Sequence, residues 1–128
     1  MVTKQELRNY RSMMREILDL ETELNAITDS RTARLSHTRS SGGGQDGGLD
    51  IPVSRIMEME KLIQGKWDIL TAERLRIEDA LEVLQPYERD LIRLRYFHGC
   101  NWIQIQLRLG RSERWVFKHH GIALKKIS

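Results

Sequence analysis

Apolar residues recur every three or four positions along two long stretches of the chain, and a glycine-rich segment separates the two. The first stretch, about Lys4 to Thr28, carries Leu7, Tyr10, Met14, Ile17, Leu20, Leu24 and Ile27. That spacing is the period of an α-helix with one apolar stripe, and Arg8, Arg15, Glu16 and Glu23 fall around it. The second stretch, about Val53 to Leu84, repeats the pattern through Ile56, Met59, Ile63, Trp67, Leu70, Ile77 and Leu81. Arg74 falls on this stripe, which leaves open a break or swivel near Thr71 to Arg74. Neither helix can bury its stripe alone. The expected architecture is therefore all-α, with a long helical hairpin or coiled coil at residues 1–84. Whether the stripes meet within one chain or between subunits stays open, so a homo-oligomer through the N-terminal helices is one expectation. The charged fraction of 30% and the aromatic fraction of 6% suit amphipathic helices better than a β-sandwich.

Between the stripes, Asp29 to Asp50 holds five glycines (Gly42, Gly43, Gly44, Gly47 and Gly48), several Ser and Thr, and few apolar residues. Such a composition cannot build a core and predicts a mobile loop at about 29–50. Arg31, Arg34, His37 and Arg39 are candidate nucleic-acid contacts there, with a plain tether as the alternative.

The last third, residues 85–128, reads as a separate domain of short helices. Pro86 suits a first helical turn, where its missing N–H would have had no partner. A helix over Tyr87 to His98 is expected to stop at Gly99 as a left-handed cap. Asn101 and Gln104 have the spacing of a capping box for a helix from Trp102 to about Leu109. Gly110 supplies a turn that needs positive φ, and Ser112 caps a final helix over Glu113 to Ile127. Val116, His119, Ala123, Leu124 and Ile127 are read as its inward face.

Short helix, glycine turn and capped basic helix form the layout of a helix-turn-helix. Charge adds to the reading. From Pro86 onward there are nine Lys and Arg against three acids, a net of +6, while the rest has twelve basic and fifteen acidic residues. A basic module beside a mildly acidic one fits a polyanionic partner, although a solvated basic face has the same composition. Helix geometry turns Glu113, Arg114, Phe117 and Lys118 away from the Val116 face. Arg114 has the fork that reads a guanine edge, and Lys118 suits a base or a phosphate. Glu113 suits a cytosine amine or the helix N-terminus. Arg111 and the N–H groups after Ser112 suit phosphate. Trp115, at the start of the same helix, joins the candidate DNA contacts, whereas Trp67 and Trp102 read as core or interface.

These residues carry a resemblance. Leu84 to Tyr96 (LQPYERDLIRLRY) resembles the start of region 4 of sigma-70-type factors, and Trp102 to Ile105, Leu109 to Ser112 and Val116 to Leu124 continue it. The layout of helical arm, Gly/Ser-rich loop and C-terminal domain is similar to phage late-transcription regulators of the ArpU/RinA type. Ser112 to Leu124 (SERWVFKHHGIAL) resembles their recognition helix. The sequence departs from the usual helix-turn-helix pattern at two positions. Gln106 stands where alanine is common, and Arg111 stands where an apolar residue often follows the glycine. The resemblance implies a sequence-specific transcription regulator that binds double-stranded DNA, a phage late-gene activator working with bacterial RNA polymerase in the host cytoplasm. A small-terminase-like DNA-packaging subunit and a polymerase-binding module without DNA contact are the alternatives.

Other chemistries find little support. Cys100 is the sole cysteine, which excludes an internal disulfide and agrees with a reducing compartment. It has no base arranged beside it in sequence. Adjacent His119 and His120 diverge on a helix and make a poor metal pair. The glycine run lacks the Lys-Ser/Thr of a phosphate loop. The expectation is no enzyme, no cofactor and no metal. The N-terminus lacks the apolar core of a secretory signal, and no run approaches bilayer length, so no membrane partner is expected.

Overall fold

The computed structural model describes residues 1–37 and 51–128, and side chains for those outside 31–37. Among the described residues every regular element is helical. In chain order these are α1 (Lys4–His37), α2 (Val53–Leu81), α3 (Pro86–Ile92), a π turn (Arg93–Phe97), α4 (Trp102–Leu109) and α5 (Glu113–Ile127). No helix among them is long and apolar enough to cross a membrane.

Three expectations along the arm change. First, α1 does not stop at Thr28 but runs to His37, so 29–37 is helix, not loop. Nothing from Asp29 to His37 breaks a helix, since the first glycine is Gly42. The Thr28 hydroxyl also donates back to the Leu24 carbonyl at 2.9 Å, which satisfies it within the helix. Second, α2 is continuous through Thr71 to Arg74. Arg74 is tolerated on the stripe because its guanidinium lies 3.8 Å from the Phe97 ring centre while Nε donates to Glu78 at 3.2 Å. Third, α2 ends at Leu81, and Leu84 is buried from the following turn. The nucleic-acid expectation for the side chains of Arg31, Arg34, His37 and Arg39 falls outside the described residues, as does the rest of the predicted loop.

Two compact units divide the chain, Glu16–Trp67 and Met1–Arg15 with Asp68–Ser128. In the first, the two helices run antiparallel. Lys66 Nζ donates to Glu16 at 2.8 Å, Trp67 Nε1 donates to Glu21 at 2.6 Å, and Leu24 and Asn25 face Glu60. Ile17 and Ile63 are its buried apolar centre.

The second unit does not begin at the sequence boundary of 84/85. It takes in the first turns of α1 and the last turns of α2. The Val2 amide donates to the Ile127 carbonyl at 2.8 Å, and Tyr10 meets Phe97 edge-on at 4.9 Å. Arg93 Nη2 donates to Glu78 at 2.7 Å. A basic partner on either side holds the Glu78 carboxyl below its usual range, Arg93 most strongly. Around α4 and α5 the core is Leu91, Cys100, Ile105 and Val116, with Leu94, Trp102, Leu109 and Trp115 packed against it.

Local signals set the starts and stops. Thr3 and Glu6 form a reciprocal cap on α1, with Thr3 N donating to Glu6 Oε2 at 2.7 Å and Glu6 N donating to Thr3 Oγ1 at 3.2 Å. Asn101 and Gln104 do the same for α4, at 2.9 and 2.8 Å. Gly99 and Gly110 both take positive φ, 67° and 62°. The π turn was not expected. Its side chains meet separate partners: Arg93 meets Glu78, Arg95 meets Trp102 and Cys100, Tyr96 meets His120, and Phe97 meets Tyr10 and Arg74.

Candidate nucleic-acid interface

The turn from α4 to α5 is short. Gly110 leaves α4 in a left-handed conformation, and the Arg111 amide donates back to the Gln106 carbonyl at 3.1 Å. Ser112 then caps α5 by accepting the Trp115 amide at 3.2 Å. Gln106, in the position where alanine is common, is half-buried.

Six of the seven predicted contact residues are exposed: Arg111, Ser112, Glu113, Arg114, Phe117 and Lys118. Arg114 and Lys118 are four apart on α5 and form no salt bridge among the described residues. Trp115 is half-buried, with its ring 4.3 Å from His119 and 5.7 Å from Tyr87. The exposed Arg111 guanidinium lies 4.9 Å from the centre of the Trp115 ring, a contact within the candidate interface itself. Phe117 keeps 44% of its surface but leans edge-on against Trp102 at 4.9 Å. Glu113, Arg114 and Lys118 are thus the predicted residues with most freedom to meet a ligand, and two of the three are cations.

The inward face of α5 differs at two residues. Val116, Ala123 and Ile127 are buried as expected, but Leu124 is only half-buried, and the buried histidine is His120, while His119 is half-buried. The reason is Tyr96 on the π turn, whose hydroxyl lies 2.8 Å from His120 Nε2 with the two rings stacked. Burial drives the His120 pKa down to about 4, and Lys4, Arg95 and Arg8 push the same way. The imidazole is therefore neutral near pH 7.

Beside this pair lies a groove of about 330 Å³ that the sequence reading missed. Lys4, Arg8, Arg11 and Arg95 surround Tyr96, Trp102, Phe117 and His120. Arg95 stacks 4.3 Å over Trp102 and donates to the Cys100 carbonyl at 3.2 Å. Burial lowers the Arg95 pKa, and Arg11 and Arg8 add to this as like charges. The signal was present as Lys4, Arg8 and Arg11 at helical spacing, but only the fold shows that this row faces α5.

No protein-family model, curated protein or solved structure matches the chain.

The arrangement offers cations, amides and rings. Cys100 is buried in the core. No group of three or more metal-ligating side chains comes together among the described residues.

Proposed function

We propose that α4 and α5 are a helix-turn-helix and that the protein is a sequence-specific, DNA-binding transcription regulator. One observation carries the reading. The exposed face of α5 presents Arg114 and Lys118 without ion pairs among the described residues, on a helix whose opposite face is anchored by Val116, Ala123 and Ile127. A single protruding cationic helix has the width and donors that the major groove accepts. Its mechanism is docking: Arg114 reads a base edge, Lys118 holds a base or phosphate, and the amides after Ser112 meet the backbone. The sigma region 4 and ArpU/RinA resemblance makes the target a phage late promoter, the compartment a bacterial cytoplasm and RNA polymerase a partner.

The helical arm then serves assembly. Leu18, Met57 and Leu62 are about half exposed in the antiparallel unit and supply apolar surface for a second copy. A second reading, a polymerase-binding module that never touches DNA, draws on Ile103 and Leu107. These sit one turn apart on α4 with 68% and 78% of their surfaces exposed. Salt-titrated binding to duplex separates the two. A phosphate-contacting protein loses affinity steeply as salt rises, whereas a pure protein-docking module binds no duplex even at low salt. Sequencing the fragments retained from phage and host DNA then distinguishes a promoter from a packaging site.

A further inference from the structure

The groove beside α5 has a composition that asks for an anion. Four cationic side chains line it and no carboxylate does. Lys4, Arg8, Arg11 and Arg95 form no salt bridge among the described residues, although seven such bridges neutralise other charges. Arg11 Nε is shielded from solvent and has no hydrogen-bond partner. A buried N–H donor without an acceptor is costly, and here it sits among like charges. Folding has gathered these groups at a net cost that a bound anion would relieve.

The shape of the cluster says which anion. Lys4, Arg8 and Arg11 occupy successive turns of α1, so the row is about 10 Å long at 1.5 Å per residue. A row fits a chain of phosphates better than one free phosphate. The groove is also continuous with the proposed reading face, because Phe117 belongs to both and Lys118 follows it. Trp102, the first residue of α4, forms part of the wall, and helix N-terminal turns favour phosphate.

We infer that Lys4, Arg8 and Arg11, with Arg95 behind them, clamp the phosphodiester backbone of the duplex whose groove α5 enters. The inference rests on the DNA reading above and adds the start of the chain to the interface. Its contribution is affinity and register without sequence choice, since backbone contacts carry no base information.

The test compares the full-length wild type with a Lys4→Gln/Arg8→Gln/Arg11→Gln variant. Each is titrated with a mixed-sequence duplex across roughly 50 to 200 mM salt. The expected result is a salt slope shallower by about 2 to 3, at about 0.9 per lost phosphate contact. Preference for a selected site over the mixed sequence stays the same, and the thermal midpoint does not fall, because like-charge repulsion has been removed. Arg8→Gln alone, an exposed position, is expected to lower the slope by about 0.9 and serves if the triple variant does not fold. An unchanged slope in a folded variant overturns the inference. So does tight, Trp102-quenching binding of adenosine monophosphate with the DNA slope unchanged, which would assign the groove to a free phosphate. In either case Arg114→Ala still weakens specific binding if the DNA reading holds. Loss of all duplex binding by the wild type overturns both.

Discussion

The Tyr96 hydroxyl and His120 Nε2 lie 2.8 Å apart, joining the π turn to the middle of α5. The pair makes the interior of this unit sensitive to acid. The His120 pKa is about 4 in the folded chain against an ordinary 6.5. Between those values the unfolded chain takes up a proton that the folded chain refuses, so stability is lost as pH falls. From pH 7.5 to pH 5 the expected loss is about 2 kcal/mol, from the shift at 1.36 kcal/mol per pKa unit. Glu78 and Glu6, whose carboxyls are held below the usual 4.5, contribute mainly at lower pH. Urea denaturation followed by tryptophan emission at the two pH values measures the loss. His120→Gln should show most of it abolished, and an equal loss in the variant would remove His120 as the cause.

Glu88 is fully buried and accepts from Lys126 Nζ at 2.7 Å, while its second oxygen has no partner. Lys126→Met should cost about 1–3 kcal/mol, because it strands a buried carboxylate. Glu88→Met should cost less, although Glu88 is the more buried residue. It removes the stranded oxygen and leaves a lysine that solvent can reach. Chemical denaturation of both single variants and the double variant checks the order. The double variant is expected to resemble Glu88→Met.

Two glycines near the proposed reading helix should respond in opposite directions. Gly110 holds φ at 62°, so Gly110→Ala should destabilise by about 1–2 kcal/mol. Gly121 lies inside α5, where an added Cβ meets no atom within 4 Å. Gly121→Ala should therefore stabilise by about 0.5–1 kcal/mol through helix propensity. Thermal melts of the two variants give the comparison.

Features that depend on neighbours in sequence were legible, and those that depend on distant partners were not. Asn101, Gln104, Gly110 and Ser112 act within a few residues of themselves, so the bounds of α4 and α5 follow from spacing. Arg74 looked like a break because its aromatic partner, Phe97, is brought up by another helix. His119 and His120 are equivalent in a helical pattern until Tyr96 selects one. Arg8 reads in sequence only as one of the charges around the stripe of α1, and the row it forms with Lys4 and Arg11 gains its meaning from the Val2 to Ile127 hydrogen bond that holds these residues beside α5. The glycine-rich composition extended the loop expectation back to Asp29, although residues 29–37 contain no helix breaker.

In the proposed function α5 reads DNA through Arg114, and replacing that side chain is the decisive measurement. Duplexes recovered by selection on the wild type would be titrated with Arg114→Ala at fixed salt, beside scrambled controls. The expected result is an affinity loss of about 1–3 kcal/mol on the selected site with little change on the controls. Equal affinity of wild type and Arg114→Ala for the selected site would contradict it.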